Sequence, residues 1–349
     1  MERADKGLAF MMQYENVAWY DSGEVRILDR RVYPRKVEFV TCRHHLEVVQ
    51  ALRDMVTQST GPFTAAAMGM ALAAYECREK PAAEQLTYLE QAADAISHAR
   101  PTTVGRMQLI TGGCLDYAKA ALARGESDLA EGIRDYTVEV NDRRYNKVGQ
   151  MAKYLVDQFP ENGTVMTQCF GETIVAMMLR ECRERGKTIR LFCPETRPFF
   201  QGARLTATVC YDMGFDVTVI TDNMPAYTMQ TKHIDVFTSA SDVITMDGHI
   251  VNKVGTFGIA IAAKELGVPY YCTGFPNREH PTVDTVRIEE RDPEEVTHAM
   301  GRRTCKAAVR GYYPAFDITP PRFVTGIVTD RGIFKPGELK QYAFETETG

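Results

Sequence analysis

The sequence lacks any run rich in lysine and arginine, and its formal net charge at pH 7 is −5. Proteins that bind the phosphate backbone of nucleic acids need a basic face, because lysine and arginine supply most of the affinity by neutralising phosphates. The sequence therefore predicts a protein that has no nucleic-acid partner.

Long apolar runs are missing as well. The longest apolar stretches, such as residues 65–74, are much shorter than the roughly 20 apolar residues that a membrane-spanning helix requires. The first residues include acidic side chains and no continuous apolar core followed by a small-residue cleavage site, so we expect no signal peptide. These absences predict a cytoplasmic protein that does not bind a membrane.

Closely spaced cysteine pairs are also absent. The nine cysteines form no CxxC pair and do not cluster with histidines at the spacing of metal ligands. They occur singly, at Cys42, Cys77, Cys114, Cys169, Cys182, Cys193, Cys210, Cys272 and Cys305. An isolated cysteine usually packs as a small apolar residue, so only its surroundings can identify a reactive one. We expect a reducing compartment and no metal site.

The first part of the chain combines a short β-rich segment with helical patterns. Alternating apolar and polar residues at 25–28 and 36–40 predict a small sheet, with Asp21-Ser22-Gly23 as a turn. Apolar residues at helical spacing then predict a helix that begins near His45. Further helices are predicted over about 64–79, 82–99 and 104–124. The alanine-rich one, 64–79, has small residues on neighbouring turns and would allow another helix to pack closely.

The domain limits are inferred from one long amphipathic segment. Residues from about 127 to 159 have the length of a connecting helix, and the turn residues of 160–163 close it. We therefore expect a small sheet and helical domain over 1–130, a connecting helix over 131–160 and a catalytic domain over 161–349.

After Gly163, short apolar runs alternate with segments of helical length. The predicted strands are 164–167, 189–193, 216–220, 236–239, 270–273 and 324–329. This alternation predicts an α/β protein whose small N-terminal sheet and helical domain precede a Rossmann-like, doubly wound parallel sheet. No GxGxxG or GxxxxGK[ST] motif follows any of these strands, which argues against a dinucleotide or P-loop nucleotide site.

Ligands of such sheets bind beyond the carboxyl ends of the strands, and polar side chains follow several of the predicted strands here. Cys169 follows the first strand, Asp222 the third and Asp242 the fourth. A thiol and a carboxylate at adjacent strand ends suit acid–base chemistry on a sugar. The start of the next helix would lower the pKa of Cys169 and make the thiol a usable base. Alternatively, each aspartate is the N-cap of a following helix and Cys169 is structural.

A polar turn downstream of Asp242 suits a phosphate group. Asn252 and Lys253 lie at the start of a helix predicted over about 255–266, where backbone N–H groups and the ammonium charge would favour an anion. The alternative is that this pair is an ordinary surface feature. Gln201 and Arg204 form a second polar pair by the same edge of the sheet.

Several segments, taken together and in order, resemble the methylthioribose-1-phosphate isomerase family. They are ETRPFFQGARLTA at 195–207, ITDNM at 220–224, SASD at 239–242, NKVGT at 252–256 and PAFDITPP at 314–321. Similarity extends over nearly the whole chain, through Arg100-Pro101-Thr102 and the IEERDP segment at 288–293. The family shares its fold with archaeal ribose-1,5-bisphosphate isomerases and with the regulatory alpha, beta and delta subunits of the eukaryotic initiation-factor guanine-exchange complex.

The resemblance implies roles for individual residues. Cys169 and Asp242 match the catalytic cysteine and aspartate of the isomerases, and Asp242 precedes Lys253 by the expected eleven positions. Asp242 would protonate the ring oxygen of a sugar 1-phosphate, and Cys169 would remove or shuttle the C2 hydrogen, giving a ketose 1-phosphate. This chemistry needs no metal and no organic cofactor. Substrate contacts are implied for Arg100, Gln201, Asn252 and Lys253.

The sequence departs from the family pattern at three places. The usual Arg-Gly-Ala-Pro-Ala-Ile-Gly loop is replaced by residues 58–64, QSTGPFT, which lack the arginine. Phe170 and Glu172 stand where small residues follow the cysteine of the isomerases, and Val243 replaces an arginine after Asp242. Loss of a guanidinium from a phosphate or hydroxyl site should change affinity or substrate choice.

The resemblance therefore predicts an aldose–ketose isomerase in methionine salvage, with 5-methylthioribose 1-phosphate as the default substrate. Ribose 1,5-bisphosphate and 5-deoxyribose 1-phosphate remain alternative substrates. Two alternatives come from other functional classes. One is a noncatalytic subunit that senses a sugar phosphate or nucleotide, and the other is a purely structural relative. By analogy with the family, we expect a homodimer.

Overall fold

The computed structural model describes residues 2–100, 104–126 and 128–344. The chain divides into two compact units, Met1–Asn146 and Lys147–Gly349. The boundary falls inside one long helix, Leu129–Val156. The domain limits expected from the sequence stay a prediction. In the described ranges, no helix combines the length and apolar composition needed to cross a membrane.

The first unit contains a three-stranded antiparallel sheet. Its strands are β1 Ala18–Asp21, β2 Glu24–Leu28 and β3 Phe39–Cys42, paired in that order. Strands β1 and β2 form a hairpin whose two central residues, Ser22 and Gly23, both have positive φ, as the twist of a two-residue hairpin requires. The sequence predicted this sheet and this turn but missed β1, and it placed β3 a few residues too early.

Helices make up most of the first unit. They are α1 Tyr14–Val17, α2 His45–Arg53, α3 Gly61–Glu76, α4 Ala82–Ser97, α5 Val104–Ala123 and α6 Leu129–Val156. The alanine-rich helix α3 is buried along almost its whole length and forms the centre of the core of this unit. A Cβ atom at Gly69 would lie 3.1 Å from Val48 in α2 and 3.2 Å from Ile96 in α4. The small residues of α3 therefore allow both neighbouring helices to approach, as the sequence predicted.

The second unit contains a seven-stranded sheet. Its strands are β4 Thr164–Met166, β5 Arg190–Pro194, β6 Asp216–Ile220, β7 Val236–Ala240, β10 Tyr270–Thr273, β15 Gly326–Thr329 and β16 Gly332–Phe334. Their order across the sheet is β16-β15-β10-β7-β4-β5-β6, and every neighbouring pair is parallel except β15 and β16. The doubly wound parallel sheet expected from the sequence is therefore present, with one antiparallel strand added at its edge.

Helices connect and cover these strands. They are α7 Glu172–Glu184, α8 Ala207–Asp212, α9 Pro225–Lys232, α10 Thr256–Glu265 and α11 Glu294–Thr297. A π-helical turn, Gly202–Thr206, leads directly into α8. Shorter 3₁₀ turns occur at Phe10–Met12 in the first unit and at Val283–Thr285, Pro321–Phe323 and Pro336–Gln341 in the second.

A second sheet in this unit was not predicted from the sequence. Its strands are β8 Val243–Thr245, β9 Ile250–Lys253, β11 Pro276–Asn277 and β14 Phe316–Thr319, in the order β11-β8-β9-β14. A separate two-stranded sheet, β12 His298–Ala299 with β13 Arg302–Arg303, falls between β11 and β14 in the chain. Asn252 and Lys253 therefore end a strand instead of beginning a helix. Because strand β8 follows Asp242 directly, the alternative that Asp242 is a helix N-cap is wrong.

Candidate active site

Cys169 and Asp242 lie beyond the carboxyl ends of two adjacent strands, β4 and β7. From β4 the chain proceeds to β5 and β6 on one side of the sheet, then returns to β7 and continues to β10 and β15 on the other. Strands β4 and β7 pair in parallel, with Met166 opposite Phe237. The winding direction thus reverses between these two strands, and such a reversal leaves a crevice in which ligands of doubly wound sheets bind.

The backbone around Cys169 is tightly constrained. Cys169 has φ of 58°, in the left-handed region that few residues other than glycine adopt. Two residues later, a Cβ atom at Gly171 would lie 2.7 Å from the Cβ of Ala240 at the end of β7. Glycine at 171 therefore lets helix α7 begin against the end of β7. Thr206 donates a hydrogen bond to the carbonyl oxygen of Cys169 and fixes the loop from a second side.

The charge environment of Cys169 differs from the one expected. Burial raises the pKa of the thiol to about 11, while the ammonium of Lys253 acts to lower it and the carboxylate of Asp242 acts to raise it. The expectation that the adjacent helix start lowers this pKa is wrong, because desolvation of the thiolate outweighs the favourable charges. Hydrogen bonds bring the same segments together: Gln168, next to Cys169, donates to the carbonyl oxygen of Val254 at 3.4 Å, and the N–H of Asp242 donates to that of Val251 at 2.9 Å.

Lys253 is a buried cation at the end of β9, with 5% of its surface exposed. Its Nζ donates a hydrogen bond of 2.9 Å to the carbonyl oxygen of Ala315 and lies 4.6 Å from the centre of the Phe316 ring. Burial lowers its pKa, the thiol of Cys169 acts to raise it, and Arg291 lowers it further. A buried ammonium among these groups is a strong attraction for an anionic ligand.

Asn252 precedes Lys253 and is also buried. Its Nδ2 donates to the hydroxyl of Thr256 at 3.1 Å, and that hydroxyl donates to the carbonyl oxygen of Lys253 at 2.6 Å. These two hydrogen bonds fix the backbone between Asn252 and the start of helix α10.

The backbone amides at the start of α10 already have a carboxylate partner. Asp317 of β14 accepts hydrogen bonds from the N–H groups of Gly255, at 2.7 Å, and Phe257, at 3.1 Å. Burial raises the pKa of Asp317 to about 6, although these bonds act to lower it. Two amides of this helix start are therefore bonded to Asp317, and the expectation that the helix start binds a phosphate stays a prediction. Lys253 is the charged group in this part of the site that suits an anion.

The loop after β5 contains Gln201. Asp222, beyond β6, accepts hydrogen bonds of 2.7 Å from the N–H groups of Thr196 and Arg197 and so shapes this loop. The N-cap of α9 is Met224, so the alternative that Asp222 caps that helix is wrong. The buried Oε1 of Gln201 accepts no hydrogen bond from the described residues, and the same holds for Oε1 of Gln168 beside Cys169.

Arg100 belongs to the first unit and follows helix α4. Its predicted contact with a substrate stays a prediction, and Pro101 and Thr102 of the same motif lie outside the described residues. The loop at 58–64, which lacks the arginine of the family pattern, nevertheless has a guanidinium beside it. Arg30 is fully buried, and its Nη1 donates a hydrogen bond of 2.7 Å to the carbonyl oxygen of Gln58. Sequence reasoning missed Arg30.

Sequence reasoning also missed Arg291 and Tyr313 near Lys253. Arg291 donates two hydrogen bonds of 3.1 Å to Glu289, and its guanidinium lies 5.5 Å from the centre of the Phe316 ring. Tyr313 is buried, with Lys253 Nζ 6.0 Å from its ring centre. Arg291 lies within the IEERDP segment and Tyr313 directly before PAFDITPP, but neither segment showed which side chain faces the site.

One group of described residues has the ligand types and spacing for a metal ion. It consists of His44, His45 and Glu76 in the first unit, whose ligand atoms all lie within 4.8 Å of one another. Glu76 already accepts hydrogen bonds from the backbone N–H of His45, from the His45 ring and from the hydroxyl of Tyr88, at 2.6–2.7 Å. This carboxylate therefore links α2 and α4 to the end of α3 by hydrogen bonds. These bonds explain, without a metal ion, why the three side chains lie together.

Known proteins resemble this chain in sequence and in structure. The model of the initiation factor 2 subunit family matches residues 59–336. A methylthioribose-1-phosphate isomerase from Heliobacterium modesticaldum is 32% identical, over 96% of this chain and 99% of that protein. The structure of 5-methylthioribose 1-phosphate isomerase from Pyrococcus horikoshii matches with a TM-score of 0.82 at 28% identity, over 93% of each chain. That of translation initiation factor eIF-2B, subunit delta, from A. fulgidus matches with a TM-score of 0.78 at 29% identity, over 92% of this chain and 96% of that one.

Proposed function

The chain belongs to the initiation factor 2 subunit family, and we propose that within this family it is an aldose–ketose isomerase acting on 5-methylthioribose 1-phosphate. The resemblance inferred from the sequence motifs is confirmed, because curated relatives that match over most of both chains are methylthioribose-1-phosphate isomerases. The proposed reaction converts the ring-closed sugar 1-phosphate to the corresponding ketose 1-phosphate.

The observation that carries this proposal is the proximity of Lys253, at the end of β9, to Cys169 and Asp242, which follow the strands where the winding of the main sheet reverses. A thiol, a carboxylate and a buried ammonium act on one another's charge there. The first two are proton-transfer groups, and the third suits the phosphate of the substrate.

The chemistry follows from the blocked anomeric oxygen of a sugar 1-phosphate. The ring opens only if the bond between C1 and the ring oxygen breaks, and that oxygen must gain a proton as it leaves. Because the raised pKa of Cys169 keeps its proton on sulfur at neutral pH, the thiol is the proton donor in the resting site. In the proposed reaction the proton passes from Cys169 through Asp242 to the ring oxygen in one concerted movement, which leaves a thiolate.

The thiolate of Cys169 then takes the proton from C2 and returns it to C1, while the C2 hydroxyl gives its proton to Asp242 and becomes the carbonyl. That proton passes from Asp242 back to the thiolate of Cys169, which restores the thiol for the next turnover. One proton thus moves from C2 to C1, the ring oxygen ends as a hydroxyl, and the phosphate stays on C1. Lys253 holds the phosphate, and Asn252 and Gln201 bind sugar or phosphate oxygens. Arg100 is the remaining proposed substrate contact.

The experiment that tests this function is a substrate panel. The purified protein is incubated with the 1-phosphates of 5-methylthioribose and 5-deoxyribose and with ribose 1,5-bisphosphate, and ketose phosphate formation is followed by phosphorus NMR. We expect the fastest turnover with 5-methylthioribose 1-phosphate. Faster turnover of another member would assign the enzyme to that sugar. Saturable binding of a sugar phosphate or nucleotide without turnover of any would assign the protein to ligand sensing, as in a regulatory subunit.

We further propose that the enzyme is a homodimer, as the resemblance implies, and that it is located in the cytoplasm. Sedimentation equilibrium on the purified protein tests the oligomeric state. A mass of twice 39.2 kDa supports the dimer, and a mass of 39.2 kDa across micromolar concentrations contradicts it.

A further inference from the structure

Tyr313 is a buried tyrosine of the second unit whose hydroxyl forms no hydrogen bond with the residues that the structure describes. Only 3% of its surface is exposed. A hydroxyl that loses its bonds to water on folding and gains none in return destabilises the folded state. Such groups are rare in native proteins, and a missing ligand is one explanation for them.

The position of Tyr313 is nevertheless well defined. Its carbonyl oxygen accepts a hydrogen bond of 2.9 Å from the backbone N–H of Arg291. Its ring centre lies 6.3 Å from that of Phe199, which belongs to the loop after β5. The backbone and the ring are therefore held in place, and the guanidinium of Arg291 lies beside the hydroxyl, whose proton has no acceptor among the described residues.

The surroundings of Tyr313 are those of an anion site. Lys253 Nζ lies 6.0 Å from the Tyr313 ring centre, and both Lys253 and Arg291 lie against the ring of Phe316. Burial raises the pKa of Tyr313, Arg291 acts to lower it, and the thiol of Cys169 and the carboxylate of Glu295 act to raise it. The hydroxyl therefore lies near one cation, Arg291, and near the candidate catalytic thiol, while Lys253 lies beside the same ring. A neutral donor beside a guanidinium suits a phosphate oxygen.

We propose that the Tyr313 hydroxyl is a substrate-binding group that donates a hydrogen bond to a phosphate oxygen of the bound sugar phosphate. This inference rests on the proposed function for the identity of the ligand. It adds a residue that none of the sequence motifs singled out, and it explains why the fold keeps a buried hydroxyl that contributes no internal bond.

The neighbouring Tyr312 provides a matched control, because 69% of its surface is exposed. Tyr313→Phe and Tyr312→Phe each remove one hydroxyl and keep the ring. Without ligand, Tyr313→Phe should unfold at the same temperature as the parent or a higher one, because it removes a hydroxyl without a partner. A midpoint several degrees lower, with Tyr312→Phe unchanged, would mean that the hydroxyl has a structural bond, and it would overturn the proposal.

Binding is measured by calorimetry in the Cys169→Ala background, which prevents turnover. We expect Tyr313→Phe to weaken the binding of 5-methylthioribose 1-phosphate about tenfold or more. The binding of inorganic phosphate should weaken by a similar factor, and Tyr312→Phe should change neither affinity. Unchanged phosphate affinity in Tyr313→Phe overturns the inference. If the Cys169→Ala protein binds inorganic phosphate but not 5-methylthioribose 1-phosphate, the proposed function fails. The role of Tyr313 is then still decided by the effect of Tyr313→Phe on phosphate affinity and on the unfolding temperature.

Discussion

The ammonium of Lys253 lies close enough to the thiol of Cys169 that each favours the charged form of the other. Lys253 lowers the pKa of Cys169, and Cys169 raises the pKa of Lys253. Burial opposes both effects, so at neutral pH the thiol keeps its proton. The site therefore pairs a protonated sulfur with a cation that is available for a phosphate.

Removing this cation should make the thiol less acidic. In Lys253→Met, the pKa of Cys169 rises further and the thiolate fraction falls, by about tenfold for each pKa unit. Alkylation of Cys169 by iodoacetamide at pH 9, resolved by mass spectrometry, should be slower than in the wild type. Cys305, the other partly exposed cysteine of the described residues, provides an internal reference that should not change. Equal rates at Cys169 in both proteins would show that Lys253 does not act on the thiol.

Substrate binding should weaken at alkaline pH. Burial lowers the pKa of Lys253 below its ordinary 10.5, so the ammonium loses its charge as the pH rises through this lowered value. The value of kcat/KM should therefore fall before pH 10.5 is reached. In Lys253→Arg, whose guanidinium stays charged, the decline should move to higher pH. An identical decline in both enzymes would assign it to another group.

Asp317 should make stability depend on pH between 4 and 6. Burial raises its pKa to about 6 from an ordinary 3.8, so the folded state binds this proton more tightly than the unfolded state. The stabilisation is complete below about pH 4 and is lost as the pH rises through about 6. The Tm of Asp317→Asn, measured relative to wild type, should therefore increase from pH 4 to pH 7. The exposed Asp284→Asn is the control, and a constant difference for both variants would contradict the account.

Gly171 should be intolerant of a side chain. In Gly171→Ala, the new methyl group would lie 2.7 Å from the Cβ of Ala240 and 2.9 Å from Ile174. The start of α7 must shift away from β7, at a cost of about 1–3 kcal/mol in the free energy of unfolding. Gly258→Ala in α10, where nothing lies within 4 Å, should instead be neutral or stabilising by up to about 1 kcal/mol. Urea unfolding of both variants checks this contrast, and similar stabilities would contradict it.

The main sheet could be predicted because its strands are short apolar runs separated by helix-length segments. The strand ends then located Cys169 and Asp242, since ligands of such sheets bind there. The second sheet could not be predicted in the same way. Residues 250–253 are followed by Val254, Gly255 and a helix, and their pairing with 316–319 joins segments more than sixty positions apart.

Roles that depend on long-range contacts were the hardest to predict. Asp222 precedes a helix and therefore suggested an N-cap, but its carboxylate instead bonds a loop 25 positions earlier in the chain. The pKa of Cys169 was expected to fall because the helix start is visible in the sequence, whereas the burial that raises it depends on the packed fold. For the same reason, nothing in the sequence distinguished buried Tyr313 from exposed Tyr312.

Turnover of 5-methylthioribose 1-phosphate by the wild type, Cys169→Ala and Asp242→Asn is the most direct test of the central claim. Phosphorus NMR of each reaction follows the conversion of the aldose 1-phosphate to the ketose 1-phosphate. The account predicts complete conversion by the wild type and conversion at least about a hundredfold slower by both variants, because each removes one of the two proton-transfer groups (roughly 10²–10⁴-fold per group). Conversion by both variants at the wild-type rate, or none by any of the three proteins, would contradict it.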